Sequence, residues 1–365
     1  NENEALTALD YAIKESTRDQ SIADVPIGCF LSGGIDSSII AASMQFNASQ
    51  KINTFTIGFK NNEFDESKYA EKVANYLGTN HQEFILEPED ALEIIEYLPK
   101  IYSEPFADSS QIPTALICQK IKGAGITVAL SGDGGDEVFG GYVRHFMVPS
   151  VWNKMKLIPF EIRKIIGELL LQKKFSQFNK LIPYKIDTLE EKIIKLASRL
   201  KFVRNKEELF KSLILDNFNR NMYKKDCLSQ ILNASDNNKV NLFPVFDSLE
   251  GINFLEKMLI WDSLSYLTDD ILVKVDRASM FYSLETRAPF LDHRVVEIAS
   301  KIPSNLKVKN NYGKYILRKL LYNYVPKSLV DRPKSGFAVP INDWLKGPLK
   351  SWASDLIHTE DSFIN

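Results

Sequence analysis

The stretch FLSGGIDSSII (30–40) joins the end of one apolar run, VPIGCFL (25–31), to the start of another. The first run has the composition of a buried strand, and the residues from 36 to 46 have the spacing of a helix. In open parallel α/β sheets, ligands bind beyond the carboxyl ends of the strands. A glycine- and serine-rich turn at that place therefore predicts a ligand-binding loop.

The chemistry of this first loop is that of an anion cradle. Gly33 and Gly34 allow backbone N–H groups to approach a ligand closely, and the following helix directs the positive end of its dipole at the loop. Asp36 would repel a phosphate unless a cation lay between them, and Mg²⁺ is the hard ion that oxygen ligands favour. Three hydroxyl groups complete the cradle: Ser32, Ser37 and Ser38.

A simpler interpretation of the first loop is a Gly-Gly turn with serine caps. The sequence matches neither GxGxxG nor GxxxxGK[ST], so it is not a dinucleotide loop or a Walker loop. The strand before it and the helix after it favour the phosphate-binding interpretation.

A second loop, within ITVALSGDGGDEVFGGY (126–142), repeats this pattern. Its acidic residues, Asp133, Asp136 and Glu137, are separated by glycines at the end of another apolar strand. A solvated turn would explain two acids, whereas three favour metal binding or catalysis. Asp136 is a suitable second ligand for a Mg²⁺ ion held by Asp36, with phosphate oxygens and water completing an octahedron.

Strand and helix patterns alternate over the first 130 residues. The predicted strands are 25–31, 51–59, 81–86 and 126–131, and the predicted helices are 4–20, 36–46, 65–78, 88–101 and 112–125. This alternation predicts an α/β fold with a parallel sheet and helices on both faces, followed by a mostly helical second half. The expected domains are an α/β core that carries both phosphate-binding loops (1–150), a variable helical insert (151–250) and a helical region completing the site (251–365).

Composition excludes several classes of function. The chain has 365 residues, of which 44% are hydrophobic and 25% charged, with a net charge of −2. Neither nucleic acid nor a membrane is expected as a partner, although residues 151–206 hold 14 Lys and Arg against 5 Asp and Glu. The widely separated Cys29, Cys118 and Cys227 suit a reducing, cytoplasmic compartment.

Six segments together carry a family resemblance. They are VPIGCFLSGGIDSS, TFTIGF, SGDGGDEVFGGY, SLETRAPFLD (283–292), and KYILRKLL (314–321) with VPKSLVDRPKSGFAVP (325–340). Over roughly residues 24 to 345 the chain resembles the synthetase half of glutamine-dependent asparagine synthetases, a family that also includes β-lactam synthetases. Its first loop is similar to the PP-loop of ATP pyrophosphatases.

The resemblance implies positions for ATP and for a catalytic lysine. Backbone groups of Leu31 and Ile57 would meet the adenine, and Lys334 would neutralise charge developing at the α-phosphate. The remaining nucleotide contacts implied are Ser32, Gly33, Gly34, Ser37 and Ser38 for the pyrophosphate, with Ser131 and Gly132 from the second loop.

The resemblance further implies ATP-dependent amidation of a carboxylate through an acyl-adenylate, which releases AMP and pyrophosphate. Aspartate is the first candidate acceptor. One departure matters, because Asp133 stands where enzymes that use free aspartate carry glutamate, a residue linked to adenylate formation. A carboxylated sugar of surface polysaccharide therefore stays open as acceptor, as does an amide- or lactam-forming cyclase. A binding protein with an inactive site is the non-enzymatic alternative.

Three charged residues are candidates for contacting the acceptor: Glu137, Glu285 and Arg287. The planar donor fork of Arg287 suits an acceptor carboxylate. In the alternative interpretation, Arg287 pairs with Asp292 in a structural lock. Asp276 and Arg277 are expected to form an internal salt bridge.

The expected partners follow from the same resemblance. They are ATP, Mg²⁺, a carboxylate acceptor and ammonia from glutamine, with a homodimer among the expected assemblies. Members of the family begin with a glutaminase domain whose catalytic residue is an N-terminal cysteine. Residue 1 is Asn, so we expect the ammonia-generating half to lie outside this sequence.

Overall fold

The computed structural model describes residues 1–59, 65–171, 189–214, 249, 251–332 and 341–358. Within them lies a five-stranded sheet, in which every pair of neighbouring strands is parallel. The strand order is β3-β2-β1-β4-β5. The strands are β1 (Ile27–Phe30), β2 (Asn53–Phe59), β3 (Asn80–Leu86), β4 (Val128–Leu130) and β5 (Glu285–Arg287).

Helices fill most of the remaining described sequence. Those that alternate with the first four strands are α1 (Glu2–Gln20), α2 (Ile35–Asn47), α3 (Ser67–Leu77), α4 (Pro88–Tyr102) and α5 (Gln111–Gly123). Those that follow are α6 (Gly135–Phe139), α7 (Val143–Met155), α8 (Phe160–Leu171), α9 (Leu189–Phe202), α10 (Lys206–Ile214), α11 (Phe254–Leu264), α12 (Leu272–Phe281), α13 (His293–Lys301), α14 (Ser304–Lys307), α15 (Tyr315–Leu321), α16 (Lys327–Val330), α17 (Ile341–Lys346) and α18 (Lys350–His358). A π-helical turn, Leu267–Ile271, runs directly into α12, and a 3-10 turn spans Pro289–Leu291.

Two apolar clusters cover the two faces of the sheet. Val128 and Leu130 point into the cluster formed with α1, α2, α3, α13 and α15. Ala129, between them, points into the cluster formed with α4, α5 and α12. This alternation is the period of two along a strand, here buried on both sides. The predicted α/β class, with helices on both faces of a parallel sheet, is confirmed.

The fifth strand, β5, is a correction to the prediction, which made the segment 268–294 part of the helical second half. Its three residues pair with β4, from Val128↔Glu285 to Leu130↔Arg287. A strand of three residues with the sequence Glu-Thr-Arg has no alternation of apolar and polar residues that would predict it. The pairing with β4 is a tertiary contact that the local pattern does not encode.

The described residues divide into two compact units. The first comprises residues 1–141, 259–309 and 314–365 and contains the sheet. The second comprises 142–258 and 310–313. In the second unit α8 lies so close to α9 that a Cβ on Gly167 would come within 2.6 Å of the Ala197 carbonyl oxygen. None of the described helices is both long and apolar enough to cross a membrane.

Candidate active site

The two predicted loops meet because their strands are neighbours. β1 pairs with β4 in parallel, with Cys29 opposite Leu130. Their carboxyl ends therefore lie at the same edge of the sheet. The loop 31–34 and the loop 131–134 begin side by side there, followed by α2 and α6.

The first loop is held in shape by its own hydroxyl groups. The Ser32 and Ser37 hydroxyls lie 3.0 Å apart, and the Ser32 backbone N–H donates to Ser37 Oγ at 3.1 Å. The Gly34 N–H donates to Ser32 Oγ at 3.3 Å. Ser38 Oγ is buried and has no hydrogen-bond partner within the described chain. The loop is thus preformed, with one buried hydroxyl left unsatisfied.

Glycines let the second loop approach the first. A Cβ on Gly132 would lie 2.8 Å from the Ser37 nitrogen, and one on Gly135 would lie 2.5 Å from Asp36 Oδ1. Gly33 has φ +69°, and a Cβ there would collide with the backbone of α3 at 2.7 Å. The glycine spacing that predicted phosphate cradles therefore also allows close packing between loops.

The carboxylates of Asp36 and Asp136 converge on one cation, the ammonium of Lys314. Lys314 Nζ lies 2.5 Å from Asp136 Oδ1 and also binds Asp36 Oδ2. Lys314 is 5% exposed and directly precedes α15. A Cβ on Gly141 would come within 2.0 Å of Lys314 Cε, so that glycine keeps the space open. Two acids a hundred positions apart thus face a common point.

The electrostatics of this cluster keep its lysine charged. Burial alone would lower the pKa of the Lys314 ammonium, but the charges and hydrogen bonds of Asp136 and Asp36 outweigh burial and raise that pKa. The ammonium therefore stays protonated over the whole neutral range.

The same geometry provides a test of whether the two aspartates suit Mg²⁺. Their oxygens already surround one positive charge at a buried point, and a hard divalent ion prefers carboxylate oxygens. Among the described residues no group of three or more His, Cys, Asp or Glu side chains could hold a metal ion. Two carboxylates would supply part of the octahedron of such an ion, and its remaining ligands would be phosphate oxygens and water.

A groove of about 370 Å³ opens beside the second loop. It lies past the ends of β4 and β5 and along the start of α12. Its lining residues are Ser131, Asp133, Thr268, Leu272, Val273, Val275, Asp276, Arg277, Thr286, Arg287 and Ala288. Of the predicted site residues, it brings together Ser131, Asp133 and Arg287.

Asp133 belongs to the second loop and also lines the groove. Burial raises the pKa of its carboxyl, and the negative charges of Asp36 and Asp136 add to that shift. A hydrogen bond with Ser131 and the charge of Lys274 oppose it. Asp133 therefore holds its proton more readily than an exposed aspartate does.

The lysine that acts on Asp133 is itself fixed by a buried network. Lys274 Nζ donates to Asp108 Oδ2 at 2.7 Å and to Ser110 Oγ at 2.9 Å. Burial would raise the pKa of Asp108, but Lys274 outweighs burial and lowers it. Sequence reasoning did not single out this network, because Lys274 and Asp108 lie 166 positions apart.

The three candidates for acceptor contacts lie in different surroundings. Glu137 is buried in α6 at 1% exposure. Glu285 is exposed and accepts a hydrogen bond from Arg287 Nε at 2.6 Å. Arg287 Nη1 donates to the carbonyls of Gln20 at 2.8 Å and Ile22 at 2.7 Å. Their role in binding the acceptor stays a prediction.

The salt bridge predicted between Asp276 and Arg277 is wrong. Both side chains are exposed, both line the groove, and no ion pair joins them in the described structure. Successive residues on a helix point about 100° apart, so they do not face each other. The pairing predicted between Arg287 and Asp292 is also replaced, since Asp292 pairs with Arg294 at 2.7 Å.

The remaining predicted contacts lie in the sheet or outside the described residues. The Leu31 N–H donates to the Phe55 carbonyl at 2.8 Å, which extends the pairing of β1 with β2. Ile57 lies within β2 and is buried. Lys334 lies outside the described residues and stays a prediction.

Sequence reasoning missed Lys314, although it is the first residue of the quoted KYILRKLL motif. A signal was present, because a lysine immediately before a helix is disfavoured by the helix dipole. Such a lysine needs nearby negative charge, and the second loop offers it.

A parallel sheet that presents a serine-glycine loop and an acidic glycine loop at adjacent strand ends is consistent with a PP-loop synthetase domain. A family model described as asparagine synthase matches residues 8–364. The chain belongs to the asparagine synthase family, which confirms the resemblance.

Curated proteins give the same family. The chain is 33% identical over 371 residues to asparagine synthetase (glutamine-hydrolyzing) 1 of Bacillus subtilis. That match covers 100% of this chain and 54% of the Bacillus protein. It is 34% identical over 262 residues to a putative asparagine synthetase (glutamine-hydrolyzing) 2 of Methanocaldococcus jannaschii, covering 71% of this chain and 46% of that protein. The chain thus spans about half the length of these curated relatives.

Proposed function

We propose that this chain is an ATP-dependent ligase that amidates a carboxylate through an acyl-adenylate. One observation carries the proposal. Asp36 and Asp136 direct their carboxylates at one buried positive charge, between two glycine loops at adjacent strand ends. This arrangement suits a nucleotide triphosphate whose charge is neutralised by a divalent cation.

In the first step, an oxygen of the acceptor carboxylate attacks the α-phosphorus of ATP. The bond from that phosphorus to pyrophosphate breaks, which leaves an acyl-adenylate. The first loop holds the phosphates by backbone N–H groups and by the hydroxyls of Ser32 and Ser37. Asp36 and Asp136 would hold Mg²⁺, which supplies charge neutralisation when it is bound. Lys314 adds a second positive charge at the same edge of the sheet.

In the second step, ammonia attacks the acyl carbon, AMP leaves, and the nitrogen loses a proton. Asp133 is the group proposed to orient the nucleophile or to take that proton, because it lines the groove and lies close enough to Asp36 and Asp136 for their charges to act on its carboxyl. The protein's contribution is mostly positioning and electrostatic stabilisation. We further propose that the ammonia comes from glutamine and that the acceptor is aspartate.

The test is ATP–pyrophosphate exchange and pyrophosphate release, with ammonium chloride as nitrogen donor. Asp36→Asn should reduce exchange at least a hundredfold, because one of two carboxylates facing the nucleotide's cation is lost. Asp24→Asn, an exposed aspartate just before β1, is the matched control and should keep full activity. An Asp36→Asn protein that exchanges at the wild-type rate would overturn the proposed role of the aspartate pair.

A further inference from the structure

The groove beside Asp133 is lined by two opposite charges that form no ion pair with any described residue. Asp276 and Arg277 are adjacent on α12, exposed, and part of the groove lining. Neither makes a salt bridge within the described chain, and their consecutive positions prevent them from pairing with each other. Two opposite charges held apart at one rim match a ligand that itself carries two opposite charges.

The other arginine of the groove is largely occupied. Arg287 donates through Nε to Glu285 and through Nη1 to the carbonyls of Gln20 and Ile22. The two carbonyl contacts tie β5 to the end of α1. Arg277 is therefore the guanidinium of the groove that is available for a bidentate bond to a ligand carboxylate.

We infer that Arg277 and Asp276 select the acceptor: Arg277 binds its non-reacting carboxylate, and Asp276 binds its ammonium group. The reacting carboxylate would then point to the inner end of the groove, at Ser131 and Asp133. This inference rests on the proposed amidation and assigns its acceptor to amino acids with a second carboxylate. A uronic acid, with one carboxylate and no ammonium, leaves both charges of the rim without a partner.

The inference is tested by removing each charged side chain from the enzyme and, separately, the group that it would bind from the ligand. Pyrophosphate release is measured with ATP and ammonium chloride for L-aspartate, for succinate, which lacks the ammonium, and for β-alanine, which lacks the non-reacting carboxylate. Each analogue is assayed as substrate or as competitive inhibitor, and glucuronate serves as the sugar acid. The enzymes are wild type, Arg277→Gln, Asp276→Asn and the control Arg18→Gln, whose arginine is exposed on α1.

Arg277→Gln should raise KM for aspartate roughly tenfold to a hundredfold, the worth of a hydrogen bond to a charged group, and should leave the affinity for β-alanine unchanged. Asp276→Asn should raise KM for aspartate but leave the affinity for succinate unchanged. Arg18→Gln should match wild type with every ligand. A merely structural role would weaken all acceptors alike.

Three results would contradict the inference in distinguishable ways. If the wild-type enzyme amidates aspartate but both variants keep its KM, the selection by Arg277 and Asp276 is wrong while the proposed function stands. If glucuronate is the better substrate, the assigned acceptor class is wrong. If the wild-type enzyme releases pyrophosphate with none of the four acceptors, the proposed function is wrong and the inference falls with it.

Discussion

Lys314 shows how a single residue is stabilised in an unfavourable place. Its φ is +55°, in the left-handed region that non-glycine residues rarely adopt, and it caps a helix whose dipole disfavours a cation. Asp36 and Asp136 compensate by binding its ammonium on two sides. The lysine in turn offsets the repulsion between these two partly buried carboxylates.

Removing that cation should destabilise the protein strongly. Lys314→Met leaves two carboxylates facing each other in a buried place, and breaking a buried pair in this way costs about 3–5 kcal/mol. The free energy of unfolding from urea denaturation at pH 7 measures the loss. The matched control is Lys309→Met, since Lys309 is partly exposed and its ammonium is 4.0 Å from Glu2.

The second variant of this series relieves the repulsion. Lys314→Met combined with Asp36→Asn should recover part of the lost stability, because only one charge remains buried. If Lys314→Met unfolds no more easily than Lys309→Met, Lys314 does not hold the aspartates together.

Gly141 should tolerate substitution as poorly as Asp136, whose carboxylate lies against it. An added Cβ would lie 1.8 Å from Asp136 Oδ1 and 2.0 Å from Lys314 Cε, so Gly141→Ala must displace the aspartate. We expect ATP–pyrophosphate exchange to fall at least tenfold. Gly123→Ala is the control, since a Cβ there meets nothing within 4 Å. Equal exchange by the two variants would show that the position of Asp136 is unimportant.

At this scale the sequence predicted the acids and glycines of the site, but not their common partner. Asp36 and Asp136 follow predicted strands within recognisable loops, so their local patterns identify them. Lys314 lies 278 positions after Asp36 in the chain. No local sequence pattern indicates that their side chains meet. The salt bridge predicted between Asp276 and Arg277 was wrong for the opposite reason, because neighbours in the sequence of a helix do not face each other.

At the scale of elements, the segment 283–292 is a junction between sheet and helix. Arg287 ties β5 to two carbonyls at the end of α1 and just after it, and Asp292 caps α13 by accepting from the Arg294 N–H at 2.9 Å. Hydrogen bonds and the charge of Arg294 lower the pKa of Asp292 to about 2. The segment therefore has the locking role that was one of its two predicted interpretations, through pairs other than the predicted one.

The cap gives a pH-dependent prediction. Asp292→Ala should cost about 1 kcal/mol of stability at pH 7, the usual worth of a helix N-cap. Because the folded pKa lies below the unfolded value of about 3.9, the contribution of the charge is complete above that value and is lost as pH falls toward 2. Urea denaturation at pH 7 and pH 2.5 should therefore show a smaller difference from wild type in acid.

The control for this element is Asp24→Ala, which changes an exposed aspartate outside the junction. It should alter stability little at either pH. A difference between Asp292→Ala and wild type that is constant from pH 7 to pH 2.5 would contradict the charged cap.

Element boundaries followed from the sequence where apolar periodicity is strong. The helices α2, α3, α4 and α5 begin and end within two residues of their predictions. The strand β5 and the π-helical turn before α12 were not predicted. Both are short, and each depends on tertiary contacts. The groove lies between those two elements, so its shape was beyond prediction from the sequence.

At the scale of the whole molecule, the first unit brings together site residues that lie far apart in the chain. Strand order places β1 beside β4, and β4 beside β5, so loops from positions near 35, 135 and 288 share one edge. The alternation of strands and helices made that edge predictable. At that edge Asp36 and Asp136 are proposed to share one Mg²⁺ that docks ATP.

A crystal structure with Mn²⁺ in place of Mg²⁺ and a non-hydrolysable ATP analogue tests that claim most directly. Anomalous scattering locates the ion without reference to the chain around it. We predict a single peak within about 2.0–2.3 Å of a carboxylate oxygen of Asp36 and of Asp136, with Lys314 Nζ no longer between them. A structure with bound nucleotide whose metal touches neither aspartate, while both still bind Lys314, would contradict the account.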